Sequence, residues 1–497
     1  MASKLTSQFV RQVRRLPFFL VAAGSVSLAL QLQSGHAQDA REQVTLDTKT
    51  HAVQNPVIDA TSGVTFLNLS SDTLTSGTTG SFSGKTTAGG TLGVTGTETV
   101  GGTLTTSGAI TGPTLDKGGQ VVNVKAFGAI GDGVTNDTAA FNAALTSLAT
   151  DGGMCLVPKG TYLISASGIT SHVKSGVHLV GVEREVSILK IAAMPTGALI
   201  WGDGDNWSVE NLTLDMQDYF PAPLHNYSAI ACKGNNWRVA KCSILKIGRI
   251  GIGVVGGDNW SIEGNYITKT TPVQTLNQSI LVTKYGDKRA TDARIIDNVC
   301  DGSGILFWGF SSTIARNRIS NTGFGSGIAT GQVANCHTMN IIGNTCTGGR
   351  GFDENHTWVS GFELWASDSV ITNNTAYDNG SSGIIVGGQN CVVTGNRSYN
   401  NGVQAEGYGF SARYQNSTIN ASYTIFKGNS AYDTRYPGRG MTQTYGYHEQ
   451  SGGLKFIKHI GNNYNGNKIG PTSYNSLYGQ PNGAEIPRDE AGSGRRK

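Results

Sequence analysis

Residues 371–396 read ITNNTAYDNGSSGIIVGGQNCVVTGN. Asn374 returns as Asn396, each time after an alternating apolar segment, and GIIVGG lies between them. The same two-part unit recurs along the chain. One series opens on a small residue and then alternates: GALIWGD (from Gly197), SAIACKG (Ser228), GIGVVGG (Gly251), SILVTKY (Ser279), GILFWGF (Gly304), GIATGQV (Gly327), GFELWAS (Gly361), GIIVGGQ (Gly383) and GFSARYQ (Gly409). A second series falls between these segments and carries Asn265, Asn298, Asn317, Asn344, Asn374, Asn396 and Asn429 at one register. Two interleaved strand ladders with a repeated Asn predict an all-β fold, a right-handed parallel β-helix in which equal positions stack from coil to coil. The stacked Asn suits a sharp bend, because Asn tolerates left-handed backbone and its amides bond along a stack. Cys300 and Cys346 stand two residues after a ladder Asn, at a core position, and Cys242 takes an Asn slot. The seven cysteines, with no C-x-x-C pair, therefore read as buried thiols rather than a disulfide framework.

Composition agrees. The 497 residues include 69 Gly and only 14% charged residues, which favours turns and strands over long helices. An elongated repeat domain uses such a length without a single compact core. At the N-terminus Lys4, Arg11, Arg14 and Arg15 precede the apolar run Leu16 to Leu30, and Gly35-His36-Ala37 offers a small-x-small cleavage site. Residues 1–37 read as a signal peptide, too short for a comfortable membrane span, and predict a secreted, periplasmic or cell-surface protein. Their removal takes the formal charge from +4 to about 0, so net charge supplies no argument for nucleic acid or an anionic membrane. A polar linker follows at 38–60. Residues 61–118, low in complexity and rich in Thr and Gly, read either as a β-rich stalk pairing between chains, which would make a homotrimer, or as a flexible linker. The β-helix domain is expected over 119–470 and a polar tail over 471–497.

The β-helix opens on VNVKAFGAIGDGVTNDTAAFNAAL (Val122 to Leu145). Gly128 to Gly133 turn the chain, and Phe127 can cover the first core layer. Asn136, Asp137 or Thr138 can cap the helix AAFNAAL, which closes the open end of the helix against edge pairing. The stretch lacks the Gly-Lys-Ser/Thr of a phosphate loop. Asp132 and Asp137 are accordingly turn and cap residues. This stretch, with GGMCLVPKGTYLIS (Gly152 to Ser165) and NLTLD (Asn211 to Asp215), resembles the pectate-lyase-like β-helix superfamily. The entry motif is shared by rhamnogalacturonase-type enzymes, mannuronan C-5 epimerases and phage tailspikes. The resemblance spans about 119–470 and implies the fold more firmly than the reaction.

In the first series, positions one and three after the small residue are nearly all apolar and point inward, so positions two and four point outward. Position four then reads Trp201, Cys232, Val255, Thr283, Trp308, Gly331, Trp365, Gly387 and Arg413, and position two carries Glu363. Outward tryptophans over a strip dotted with glycine suit stacking on sugar rings, with Trp308 and Trp365 as substrate-binding residues. The long connection GGRGFDENHTWVS (Gly348 to Ser360) brings Arg350, Asp353, Glu354, His356 and Trp358 next to Glu363 and Trp365. GFDENH resembles the GFDPHE catalytic stretch of mannuronan epimerases. Asp353 matches its Asp, the family His falls at Asn355, and the family's second Asp falls at Trp365.

Lyase chemistry needs a base for the C5 proton of a uronate and a group that neutralises its carboxylate. Arg413 is the candidate neutraliser, and His356, Lys284 and Tyr285 are candidate base or acid and contacts to substrate. Hydrolysis would need paired carboxylates about 5 Å or roughly 6.5–9.5 Å apart, with Asp353 or Glu354 set against Glu363. The resemblance also implies calcium as a candidate cofactor, although no EF-hand spacing occurs. The expectation is an exported enzyme that cleaves an acidic polysaccharide by β-elimination, ahead of hydrolysis and C-5 epimerisation. The rival is a tailspike-like surface or fibre protein that only binds glycan.

Overall fold

The computed structural model describes residues 120–474, apart from 220–227, 270–277, 284–288, 324, 332–335, 352–358, 436–439 and 451–452, and the backbone of 18–22 and 26–30. The chain divides into two units, Met1–Thr105 and Thr106–Lys497. In the first, Phe18–Ala22 pairs antiparallel with Val26–Leu30, so the apolar run of the expected signal peptide forms a hairpin. The low-complexity segment 61–118 lies outside the described residues, as does most of the expected tail.

The second unit is a parallel β-helix of three long sheets with 13, 12 and 11 strands. One coil shows the repeat. Val370–Thr372 lies in the first sheet, Thr375–Tyr377 in the second and Ile384–Val386 in the third, and Val392–Thr394 returns to the first one coil later. Its strands pair in parallel with those of the next coil. Inward positions stack like on like. In the first sheet Ile262, Ile295, Ile314, Ile341 and Ile371 lie in register, all fully buried. Each such side chain contributes about 1.5–3 kcal/mol on burial. Cys300 and Cys346 occupy the matching inward ladder of the second sheet, and all seven thiols are free and buried.

The Asn ladder binds one coil to the next. Asn298 Nδ2 donates to Asn317 Oδ1 (2.9 Å) and to the Ile262 carbonyl (2.9 Å), and its backbone N–H donates to the same Oδ1 (3.0 Å). The pattern repeats from Asn265 to Asn429 and ends on Asn462. Upstream, the Cys242 N–H donates to Asn265 Oδ1, so Cys242 does hold an Asn slot. The expected reason for Asn needs correction. The left-handed residue is the one before it (Gly264, Asp297, Arg316, Gly343, Asn373, Gly395, Gly428, Gly461), with φ between +54° and +65°. The Asn is there for its side chain, which satisfies buried backbone groups at the bend.

At the N-terminal end, α1 (Thr138–Leu148) buries Phe141, Ala144, Leu145 and Leu148 in the core, with Phe127 packed against that core. Asn136 Oδ1 accepts from the Thr138 N–H. Asp137 makes no cap bond. Its buried carboxylate accepts instead from the N–H groups of Ile130 (2.7 Å) and Gly131 (3.1 Å), and Asp132 closes its own turn onto Val134 and Thr135. Both aspartates are architecture, as the sequence indicates. A core stack of Trp207, Trp237 and Trp260, with centroids 5.0 and 4.7 Å apart and rings nearly parallel, fills the upstream coils.

Replacing Asn317 by Ala removes an acceptor for two donors and leaves the Ile295 carbonyl short of a partner. We expect a loss of about 3 kcal/mol, from roughly 1–3 kcal/mol per orphaned buried group, seen as a lower urea midpoint. An unchanged midpoint would contradict the ladder's role.

Candidate functional site

The third sheet presents two outward ladders. In the first, Trp201, Ala231, Gly253 and Leu281 lie in register, followed by Leu306, Ala329, Glu363, Ile385, Ser411 and His448. In the second, Asp203 pairs with Lys233 and Val255 with Thr283. Trp308, Gly331, Trp365, Gly387 and Arg413 continue it, each one residue beyond a registered inward position. Two residues expected at position four move. Trp201 belongs to the Glu363 ladder, and Cys232 registers with Gly202 and Val254 in the core. The strands at 200–203 and 228–233 start at other offsets from their small residues, a two-residue shift that keeps Trp201 outward and a one-residue slip that turns Cys232 inward.

The glycines of the second ladder are not open gaps, contrary to expectation. A Cβ on Gly331 would lie 2.9 Å from Trp308 Cγ, and one on Gly387 would lie 2.1 Å from Trp365 Cε3. Each indole therefore lies along the sheet over the glycine of the next coil, half-buried and flat. Glu363 holds the second ring in place. Trp365 Nε1 donates to Glu363 Oε1 (3.1 Å), and Ser326 Oγ donates to Oε2 (3.0 Å). Both carboxylate oxygens of Glu363, expected as a catalytic group, thus accept hydrogen bonds from neighbouring side chains. Asp353 and His356, expected beside it, lie outside the described residues, as do Lys284 and Tyr285.

Two coils on, the structure assembles a group that sequence reading left apart. The rings of Tyr408 and His448 stack with centroids 4.0 Å apart. His448 registers with Ser411, and Arg413 lies two residues further along the same strand region. Burial pushes the Tyr408 hydroxyl up to about 12, with Glu406 adding to the effect and Arg413 opposing it. Burial and the Arg413 charge hold His448 below the ordinary imidazole value, against the pull of Glu406. His448 Nδ1 and Ser411 Oγ are buried without a hydrogen-bond partner among the described residues. The guanidinium of Arg413 is half-buried and has no acceptor there either. An imidazole held below its ordinary value, a phenol pushed up to about 12 and a guanidinium with no acceptor among the described residues thus lie together. Among the described residues no group of three or more His, Cys, Asp or Glu side chains has metal-binding geometry, and no helix is long and apolar enough to cross a membrane. Arg350, at the head of the Gly348–Ser360 connection, is tied to the carbonyls of Gly349 and Asp378.

Residues 121–353 match the family model of rhamnogalacturonase A/epimerase, pectate lyase-like. Over 105 residues the chain is 37% identical to mannuronan C5-epimerase AlgE2 of Azotobacter vinelandii, a match that covers 19% of this chain and 10% of that protein. In three dimensions it covers 100% of the A-module of mannuronan C-5 epimerase AlgE4 of that organism with 73% of its own length, at a TM-score of 0.58 and 20% identity. It also covers 96% of the surface adhesin PfbA of Streptococcus pneumoniae with 75% of its length, at a TM-score of 0.54 and 16% identity. At these identities the structural likenesses establish a shared fold. The chain spans a tenth of the length of the curated relative it matches.

The seating of Trp365 can be tested directly. Gly387→Ala should lift the indole and change tryptophan fluorescence with little change in the far-ultraviolet spectrum. Glu363→Gln keeps an oxygen for Trp365 Nε1 and should preserve that fluorescence, whereas Glu363→Ala should not. An identical response from the Gln and Ala variants would deny Glu363 its positioning role.

Proposed function

We propose that this chain, a pectate-lyase-like right-handed parallel β-helix protein, is a carbohydrate-active enzyme that cleaves an acidic polysaccharide by β-elimination. The carrying observation is the Arg413 guanidinium, without an acceptor among the described residues, beside Tyr408 and His448 and in line with the flat indoles of Trp308 and Trp365. The indoles offer apolar faces on which sugar rings stack. The Arg413 cation sits where a uronate carboxylate would rest. Its charge lowers the energy of the enolate-like state that forms when C5 loses its proton. His448, neutral in the working range, takes that proton. The electrons form the C4–C5 double bond as the C4–O bond breaks, and Tyr408, still protonated, gives its proton to the departing oxygen. Asp353, His356, Lys284 and Tyr285 stay in this proposal as further contacts to the substrate.

A second reading has specific support. C-5 epimerisation shares the removal of the C5 proton and then returns a proton to the opposite face, and the likeness to mannuronan epimerases favours it. The basic and apolar residues of 4–30 support export to the periplasm or cell surface.

The test incubates the full chain with a panel of uronate polymers in deuterated water. Elimination gives absorbance near 235 nm. Epimerisation gives deuterium at C5 without absorbance. Arg413→Ala and His448→Gln should each lower the rate by about 100-fold or more. The sign of the His448 shift sets the acid limb. A base whose value lies below the free imidazole value of about 6.5 stays unprotonated further into acid, so the rate should hold to pH values below 6.5 before falling. Neither absorbance nor deuterium on any uronate polymer would overturn the proposal.

A further inference from the structure

Trp201 is left over from the site above. It is 39% exposed, whereas Trp207, Trp237 and Trp260 are buried in the core stack. The upstream coil packs His172 against its ring, with centroids 5.7 Å apart and the planes 21° from parallel. On the downstream side the ladder carries only Ala231 and Gly253 before Leu281. Ala231 is buried and the Ser228 hydroxyl fills the outward position at Gly253, so Trp201 stands above a closed floor of small residues two coils long, about 10 Å at ~4.8 Å per coil.

The flank of this floor is cationic. Lys233, 61% exposed, stands beside Ala231, and its Nζ lies 3.7 Å from Asp203 Oδ1. Lys174 Nζ and His172 Nδ1 approach Asp203 Oδ2 at 3.3 and 3.4 Å. Burial raises the Asp203 carboxyl, but the bonds from Lys174 and His172 and the charges of Lys174 and Lys233 outweigh it, so Asp203 lies below the usual carboxylate range. One carboxylate therefore gathers two lysines, and a single positive charge is left over beside a partly exposed indole. Such a surface suits a ring that is apolar on one face and carries a carboxylate at its edge.

We infer that Trp201, Ala231, Gly253 and Lys233 form a distal subsite for one uronate residue, with its ring on Trp201 and its carboxylate at Lys233. The inference rests on the reading of the third sheet as a bed for an acidic polysaccharide. Eight ladder steps separate Trp201 from Ser411. At ~4.8 Å each this is ~38 Å. A long polymer reaches both places, and an oligosaccharide much shorter than that reaches only one.

The experiment measures retention of the full chain in gels containing an acidic uronate polymer or a neutral glucan. Arg413→Ala serves as the background, so that turnover does not deplete the polymer. Trp201→Ala and Lys233→Ala should each weaken retention by the acidic polymer about tenfold, and Trp201→Phe should restore most of it. In the parent protein both Ala variants should raise KM for long polymer and leave kcat, and KM for short oligosaccharides, unchanged. Undiminished retention in both Ala variants would overturn the subsite, and an equal loss on the neutral glucan would overturn its assignment to a uronate. Trp201-dependent retention without turnover on any polymer would sink the lyase reading and leave the subsite standing.

Discussion

The hydrogen bonds from one ladder Asn to the next fix everything that the outer surface displays. Parallel strands with like apolar residues at every inward position tolerate slippage in principle, since Ile stacks on Val almost as well as on Ile. The Asn amide removes that freedom. It joins two coils through three bonds in a fully buried bend, and a slip would orphan them all. A second ladder at the next corner, Asn379 to Asn401 to Gln443 to Asn467, does the same where the chain enters the third sheet. The strands that carry Ile385, Ser411 and His448 thus start from fixed points. Upstream of Asn265 the stacked Trp207, Trp237 and Trp260 take over, each indole N–H bonded to a backbone carbonyl.

Rigid register makes position a sufficient means of building a site. Trp308 and Trp365 lie flat because the next coil offers glycine at the same place, and any Cβ there would collide with the ring. Tyr408 and His448 come together although 40 residues separate them. Partial burial then holds the His448 imidazole below its ordinary value and pushes the Tyr408 hydroxyl up to about 12, beside the Arg413 cation.

What could be read from the sequence followed from what repeats. The Asn spacing, the alternation in GILFW, GFELW and GIIVG, and the entry motif with its Asp132 and Asp137 turns all showed in the chain and stand in the structure. Facing failed at Cys232, whereas Trp201 faces outward as expected but falls on the other outward ladder. In SAIACKG every residue from Ser228 to Cys232 is small or apolar, so alternation carries no signal, and only pairing with Ile200 and Ile252 settles the register. The core tryptophans did repeat, as DNW, NNW and DNW, but a turn-flanked Trp faces either way until its coil is closed. The Glu363 to Ser326 bond and the Tyr408 to His448 stack join different coils without any shared motif. Local spacing cannot report them.

A rod of hydrogen-bonded coils differs from a hinged cleft in how it can use a polymer. The ~38 Å between Trp201 and Ser411 is a count of strand pairings and cannot shorten to suit a ligand. Binding energy gained at a distant sugar then appears as a lower KM for long polymer, rather than being lost in closing the protein. The same rigidity makes an error in chain length costly, since a contact out of phase with the coils gains nothing. Affinity for long polymer and discrimination among repeats would then come from one property, the fixed coil spacing of the sheet on which both contacts are mounted.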